Sequence, residues 1–315
     1  MNTINAQSQG GAVAAGRFRM GRLARREALA GYLAIAPWLL GFLVFELGPL
    51  LTSLYLSFTK FDVLTTPKWV GFKNWDKMLF NDPLVWHSLK VTAIYSVGAV
   101  SLGLVLGLGL ALLLNQDVAG LSYYRTVFYT PAVVSGAAVA MMWLLLLNPE
   151  AGVINRILAM VGIPGPAWLF DRQWALPAFI IMSIWGVGGG MVLYLAALQG
   201  VPTELYDAAM IDGAGAWPKL YFVTLPMISP VIFFNLVMGI IGSFQVFTSA
   251  FIMTKGGPAN ATYFFVLGIY LNAFQFLKMG YASALAWMLA VIILVLTLVA
   301  FRSSGRWVHY EGQIR

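Results

Sequence analysis

Residues Val201–Pro226 read VPTELYDAAMIDGAGAWPKLYFVTLP. This acidic segment, punctuated by glycine and proline, separates two uncharged apolar runs that are each long enough to cross a bilayer. Pro202 and Thr203 can open a helix, because proline suits a first-turn position and threonine can cap free amides. Gly213 supplies a left-handed stop, and Pro218 breaks the chain again before the next apolar run. We therefore predict a helix of about two to three turns that lies across the membrane rather than along it.

Acidic and small residues mark the surface of this predicted helix. Glu204 and Asp207 fall in its first turns, where carboxylates interact favourably with the helix dipole. Leu205, Ala208 and Ala209 share one face, and the two alanines form a low ridge that lets another surface approach closely. One interpretation is an interfacial helix inside a connecting loop; the other is a surface held by a cytoplasmic partner.

The composition places the chain among polytopic membrane proteins. Of its 315 residues, 60% are apolar and 10% are charged, whereas soluble domains carry about 25% charged residues. The net charge is +7, but the basic residues are scattered around apolar runs, so we expect no nucleic-acid partner. Cysteine is absent, and His87 and His309 lie at opposite ends of the chain, so we expect no catalytic or metal-binding site.

Six apolar runs are long enough to span a bilayer, and the sequence predicts an all-α protein with six transmembrane helices. They are residues 29–58, 89–114, 126–147, 174–200, 223–254 and 281–301. We divide the chain into a basic tail (1–28), a transmembrane domain (29–301) that contains the loop 201–226, and a C-terminal tail (302–315).

The basic residues at both ends orient the predicted spans. The N-terminal tail carries Arg17, Arg19, Arg22, Arg25 and Arg26, and the C-terminal tail carries Arg302, Arg306 and Arg315. The tail resembles a signal peptide, but the apolar run after it is too long for one, which favours an uncleaved anchor. Positively charged loops stay in the cytoplasm, so both termini and the loop 201–226 are predicted there. Over the whole chain the rule is nearly balanced, so the orientation rests on the two ends.

The predicted membrane interior lacks groups that could couple transport to ions. Apart from Lys90 at the outer edge of the second span, spans two to six contain no ionisable Asp, Glu, Lys, Arg or His. Glu46, near the outer end of the first span, fits a position in the headgroup layer. Proton coupling is therefore disfavoured, while sodium binding by carbonyls and hydroxyls stays open. No phosphate-binding Gly-x-x-x-x-Gly-Lys loop occurs, and the glycines at 186–190 favour close helix packing and local loosening of span four.

Uncharged polar and aromatic residues interrupt the apolar spans. They are Ser135, Gly136, Trp185, Ser243, Phe244, Gln245, Phe247 and Thr248. Hydroxyls, amides and flat apolar rings suit a neutral polyhydroxylated solute, but such residues also form hydrogen bonds between membrane helices. Both interpretations stay open on side-chain chemistry alone.

The loop also carries a family resemblance. Asp207-Ala208-Ala209-x-x-x-Gly213 followed by Val223-x-Leu225-Pro226 resembles the EAA loop of permease subunits in ATP-binding-cassette (ABC) importers. The string YDAAMIDGAGAW…TLPMISP is similar to that of carbohydrate permeases of the maltose and glycerol-3-phosphate uptake type. Supporting segments lie in the same order along the chain: VGFKNW (70–75), YRTVFYTP (124–131), LQGVP (198–202), TKGGP (254–258) and GYASA (280–284).

The resemblance implies partners and residue roles. Such permeases sit in the bacterial inner membrane, pair as heterodimers, and bind two cytoplasmic ATPase subunits that carry ATP and magnesium. An extracytoplasmic solute-binding protein delivers the sugar. By position, the contact to the ATPase falls on Glu204, Asp207, Ala208, Ala209, Asp212 and Gly213. The family's cavity positions fall around Ala132–Gly136, Trp185 and Ser243–Thr248. Asp207 replaces the usual glutamate and Val223 the usual isoleucine, and this chain itself is expected to need no cofactor.

Three alternatives remain at this point. The importer could carry glycerol phosphate or another anion; apart from Lys90 the spans supply no cationic side chain for it, although the partner permease could. The chain could be a self-sufficient sodium-coupled carrier or facilitator. A membrane scaffold without transport activity would leave the patterned loop without a purpose.

Overall fold

The computed structural model describes residues 22–116 and 118–309. The predicted roles of Arg17, Arg19 and Arg315 lie outside these residues. The chain divides into two compact units, one ending at Thr52 and one beginning at Ser53.

The first unit is helical throughout its described part. Helix α1 covers Arg22–Gly41, a π-helical segment covers Phe42–Leu47, and α2 begins at Gly48 and ends at Ser57 in the second unit. The continuous apolar stretch Arg25–Ser57 confirms the first predicted span. The helix begins seven residues before the predicted start at 29, because Arg22, Arg25 and Arg26 are good helix formers. Glu46 is exposed on the π-helical segment.

The second unit is also almost entirely helical. Its elements in order are β1 (Thr59–Lys60), β2 (Lys68–Trp69), α3 (Lys73–Asp76), α4 (Pro83–Leu114), α5 (Leu121–Val133), α6 (Gly136–Leu146), α7 (Val153–Met160), α8 (Ala175–Ile184), α9 (Gly188–Gln199), α10 (Thr203–Ile211), α11 (Ala216–Lys219), α12 (Leu225–Phe244), α13 (Thr248–Met253), α14 (Phe265–Tyr270) and α15 (Met279–Ser304). π-helical segments cover Lys77–Asn81, Leu220–Thr224 and Leu271–Gln275, and a 3₁₀ turn covers Trp168–Phe170. The two strands pair antiparallel, with Thr59 opposite Trp69.

The described residues contain five helices long and apolar enough to span a membrane, or six if one sharply bent pair counts as a span. The number agrees with the prediction, but several boundaries differ. Helix α4 begins at Pro83, six residues before the predicted start at 89, because Asp82 caps it: the Leu84 amide donates to Asp82 Oδ1 at 3.1 Å. His87 and Lys90 therefore both lie on this helix.

The third predicted span, residues 126–147, is formed by a bent pair of helices and not by one straight helix. Helices α5 and α6 meet at 99°. Pro131 removes one amide from the last turn of α5, and Val134 then adopts an extended conformation with ψ of 139°. Ser135 begins α6 as its N-cap residue, accepting a bond of 3.4 Å from the Ala138 amide.

Two further spans are interrupted. In span four, α8 ends at Ile184 and α9 begins at Gly188. This gap confirms the predicted loosening near the glycines at 186–190. The amides of residues 185–187 donate to carbonyls three positions back, so a tighter turn replaces the α-helical pattern. Span five is interrupted at Gln245–Phe247, between α12 and α13, which the sequence did not predict.

Pro218 does not break the chain, contrary to the prediction. It lies in α11, within the first turn of a helical stretch that runs from Ala216 to Phe244 through the π-helical segment Leu220–Thr224. Proline is tolerated in a first turn because the amide it lacks would have no partner there. The loop between α10 and span five is therefore only residues 212–215.

Close backbone packing joins the broken spans. A Cβ placed on Gly188 would overlap the carbonyl oxygen of Phe128, so α9 meets α5 backbone to backbone at this glycine. Small residues permit such approaches between membrane helices. The two helices that flank the breaks of spans three and four are thereby held against each other.

Candidate functional site

Helix α10 ends in a Schellman motif. The Ala214 amide donates to the Ala209 carbonyl at 2.8 Å, and the Gly213 amide donates to the Met210 carbonyl at 3.0 Å. Gly213 has φ of +77°, which confirms the predicted left-handed stop. The start differs from the prediction, because Thr203 is already helical and no side chain caps the first amides. The end of α10 therefore depends on glycine at position 213.

Tyr206 attaches α10 to the rest of the second unit. Its hydroxyl lies 3.0 Å from Thr224 Oγ1 at the start of span five. Its ring packs against a buried cluster at the ends of α4, α9 and α12 that includes Leu114, Leu198 and Ile228. Tyr206 was not predicted from the sequence as a functional residue; its signal was the i, i+3 spacing to Ala209, which places both on one helix face.

The remaining face of α10 is exposed. Of the predicted apolar stripe, Leu205 and Ala208 are exposed and Ala209 is half-buried. Ile211 is 87% and Met210 54% exposed at the C-terminal end, which forms an apolar tip. A helix with so much uncovered apolar surface is typical of a protein-binding element.

The predicted coupling residues share this exposed surface. Glu204, Asp207 and Asp212 are exposed, as is Gly213, and within the described part of the chain no hydrogen bond or ion pair occupies their side chains. A partner can therefore reach these carboxylates without displacing an internal contact.

The three helix breaks are neighbours. Ala132, before the first break, lies 3.6 Å from where a Cβ on Gly189 would stand, just after the second. Trp143 on α6 and Trp185 in the second break meet edge to face with centroids 6.2 Å apart. Helix α13, after the third break, packs on α6. The folded chain thus gathers three interruptions that are far apart in sequence.

Most predicted pathway residues lie at these breaks. Ala132, Ser135 and Gly136 are exposed at the first, Trp185 is 45% exposed at the second, and Gln245 and Thr248 are exposed at the third. Phe247, half-buried, stacks on Phe251 with centroids 5.4 Å apart and contacts Tyr270.

The hydroxyls of two predicted pathway serines already have protein partners. Ser135 Oγ caps α6, and Ser243 Oγ lies 2.6 Å from Ser96 Oγ while donating to the Ile240 carbonyl at 3.0 Å. Phe244, the last residue of α12, is buried in a core cluster with Met78 and Tyr281. The contact of Ser135, Ser243 and Phe244 with a solute stays a prediction.

A cavity of about 340 Å³ lies between α4, α8, α9 and α12. Its described lining contains Tyr95, Ala99, Val100, Gly103, Leu104, Ser183, Gly186, Val187, Gly190, Tyr194, Asn235, Met238, Gly239, Gly242, Ser243 and Val246. None of these side chains carries a formal charge at neutral pH, and the second and third breaks contribute to the wall. The cavity can therefore hold a neutral hydrogen-bonding molecule without burying an ion.

Two polar residues of this wall were missed from the sequence. Asn235 is the single amide within the apolar run FFNLVM, and Tyr194 lies in the run MVLYLAAL. An isolated polar residue in a long apolar run is the signal that could have identified both.

No group of three or more His, Asp or Glu residues within residues 22–116 and 118–309 could hold a metal ion.

Outside the spans, burial raises the pKa of Tyr263, and the nearby Asp82 carboxylate raises it further. This phenol therefore stays neutral on the face opposite α10.

Long apolar helices, an uncharged cavity between helices and an exposed loop helix define a polytopic membrane transport protein. Residues 99–306 match the family described as the binding-protein-dependent transport system inner membrane component, and the chain belongs to that family. Its fold is that of the permeases of ABC type I importers.

Similar proteins cover nearly the whole chain. A probable ABC transporter permease protein, YesP of Bacillus subtilis, is 42% identical over 93% of this chain and 96% of its own length. The trehalose/maltose transport system permease protein MalF of Thermococcus litoralis is 34% identical over 91% and 97%. A chain in the crystal structure of a bacterial alginate ABC transporter, in complex with an alginate pentasaccharide-bound periplasmic protein, has a TM-score of 0.77 and 26% identity, with coverage of 90% and 96%.

Proposed function

We propose that this chain is one of two permease subunits of an ATP-driven importer that carries a neutral sugar. Two cytoplasmic ATPase subunits, which bind ATP and magnesium, hold the exposed face of α10, and an extracytoplasmic binding protein supplies the sugar. The chain itself carries out no catalysis. Both termini and α10 lie on the cytoplasmic side of the bacterial inner membrane.

The exposed surface of α10 is the observation that carries the proposal. Within residues 22–116 and 118–309 its carboxylates have no partner, its tip presents Met210 and Ile211, and Gly213 fixes the helix end. Spans two to six contain no Asp or Glu, which disfavours proton coupling and favours energy input through a partner outside the membrane. The relatives' names add support, because MalF is named for trehalose and maltose transport.

Neutral sugar is favoured over an anionic cargo by the cavity. An anion would require a positive group to offset its dehydration, and the described cavity wall offers only hydroxyl, amide and apolar groups. Neutral disaccharides and glycerol 3-phosphate can be tested separately as competitors of uptake. Inhibition by the disaccharides alone would support a neutral sugar, and inhibition by glycerol 3-phosphate would support an anionic cargo.

A glycine pair tests the coupling role. Gly213→Val forces valine into φ of +77°, whereas Gly215→Val places it at φ of −73°, which valine readily adopts; nothing lies within 4 Å of a Cβ at either position. In the complex assembled with its partner permease and ATPase in liposomes, we expect Gly213→Val to lose ATP-dependent uptake and Gly215→Val to keep it. Equal uptake by the two variants would refute the role of α10.

The rival carrier has a direct test. Transport by the purified chain alone in liposomes, driven by a sodium gradient and without ATPase, would replace the importer with a sodium-coupled carrier. The absence of cysteine lets single cysteines at Asp212 and at Asp171 report orientation through a membrane-impermeant thiol reagent. Labelling of Asp212→Cys from outside intact cells would reverse the proposed orientation.

A further inference from the structure

The cavity extends well past the helix breaks toward α10. On α12 its wall includes Ser243 and also Asn235, eight residues earlier, which corresponds to about 12 Å along the helix. On α9 the wall includes Gly190 and Tyr194, one turn apart on the same helix face. None of the residues at this deeper end was predicted to touch the cargo.

Tyr194 presents a buried hydroxyl without a partner. The residue is 1% exposed, and no hydrogen bond reaches its Oη in the described structure. The ring is held in place by the buried cluster with Met191 and Leu198, and a Cβ on Gly107 would lie 3.3 Å from its Cε2. An unpaired buried hydroxyl is destabilising, and phenylalanine would fill the same space without that cost. The hydroxyl therefore calls for a partner inside the cavity.

Asn235 offers complementary groups nearby. Its Nδ2 donates to the Val231 carbonyl at 3.0 Å, which fixes the amide and leaves Oδ1 to accept. A Cβ on Gly190 would lie 3.3 Å from Oδ1, so this glycine makes room for the amide against α9. The amide oxygen accepts hydrogen bonds, while the phenol can both donate and accept.

We propose that Tyr194 and Asn235 form a second cargo site, between the helix breaks and α10, that binds a neutral polyhydroxylated solute. Each sugar hydroxyl both donates and accepts, which matches this pair, and no charged side chain of the described wall favours an anion. The site lies on the α10 side of the breaks, so imported cargo reaches it after passing them. This inference rests on the proposed function.

The sharpest test compares stability and uptake in Tyr194→Phe. If the hydroxyl serves the cargo, the variant melts at the same or a higher temperature than wild type, while KM for uptake rises about 2- to 10-fold through loss of one hydrogen bond. Uptake is measured with radiolabelled trehalose, maltose and lactose in the assembled transporter. A lower melting temperature would assign the hydroxyl a structural role and overturn the site, as would an unchanged KM.

A thiol assay tests the other half of the site without needing uptake. Asn235→Cys in this cysteine-free chain should react with methanethiosulfonate ethylammonium, and a saturating transported sugar should slow the reaction. Phe234→Cys is the matched control, because Phe234 is 51% exposed on the helix surface and does not line the cavity. Sugar protection absent at Asn235→Cys, or equal at both positions, would refute the second site.

The controls separate this inference from the proposed function. If the wild-type complex shows no ATP-dependent uptake of any of the three sugars, the sugar-importer proposal fails and the second site fails with it. If wild type transports and both cavity variants behave as wild type, only the second site fails.

Discussion

Gly188→Ala should loosen the contact between α5 and α9. The added methyl would overlap the Phe128 carbonyl oxygen, and it would lie 2.8 Å from the Phe128 carbonyl carbon and 3.1 Å from Cα of Tyr129. All three atoms belong to backbone, so no side-chain rotation can relieve the overlap. Because carbon atoms in contact sit about 3.5–4.0 Å apart, the two helices have to separate by about 1 Å.

The neighbouring Gly189 supplies a matched control. A Cβ there would lie 3.6 Å from Cβ of Ala132, an ordinary contact. Overpacking costs about 1–3 kcal/mol, whereas alanine in place of glycine within a helix contributes about 0.5–1 kcal/mol. We expect Gly188→Ala to lose about 1–2 kcal/mol of unfolding free energy and Gly189→Ala to be neutral or slightly more stable.

Thermal unfolding in detergent, followed by tryptophan fluorescence, measures the difference. Two kcal/mol corresponds to about 4–8 °C between the variants for a chain near this size. Uptake should fall in Gly188→Ala, because displaced helices move the breaks that they flank. Equal melting temperatures for the two alanine variants would refute the close backbone contact.

Three other substitutions test contacts around the site. Tyr206→Phe removes the hydroxyl bonded to Thr224 and should cost about 1 kcal/mol, seen as faster protease cleavage within α10; unchanged cleavage would remove this attachment. Ser135→Ala removes the N-cap of α6 and should lower stability by about 0.5–1 kcal/mol in thermal unfolding; a gain in stability would contradict the cap. Asp82→Ala removes both the α4 cap and the acceptor of the Tyr281 hydroxyl at 2.7 Å, with an expected loss of about 1–3 kcal/mol; a wild-type melting curve would exclude both roles.

Composition and apolar run length predict the helical membrane fold well. Both reflect the cost of exposing backbone and charge to lipid, which acts along the whole chain. The left-handed conformation of Gly213 could also be predicted, because a left-handed turn at a helix end favours glycine for local steric reasons.

The breaks were harder to predict because they depend on tertiary contacts. Span three bends after Pro131, and span five opens at Gln245–Phe247, where no proline or glycine interrupts the sequence. The mean hydropathy of a window does not detect such interruptions, so the sequence shows one long apolar run. The polar residues of the third break were nevertheless visible, although their position in a helix gap was not.

Tyr194 and Tyr206 show a second limit. Tyrosine is common in membrane spans and at their ends, so its sequence position alone does not distinguish a packed ring from a working hydroxyl. The distinction needs the partner atom, which is Thr224 Oγ1 for Tyr206, whereas the described part of the chain offers none to Tyr194.

The last described residues have a practical consequence for fusion proteins. The His309 amide donates to Ser229 Oγ at 2.8 Å, Val308 is buried, and Trp307 packs edge to face on Phe233. Ser229 lies little more than one turn beyond Thr224, the residue that holds α10 through its hydroxyl. An affinity tag joined directly after this segment would begin beside the base of α10 and crowd whatever docks there. A long flexible spacer before a C-terminal tag avoids that interference.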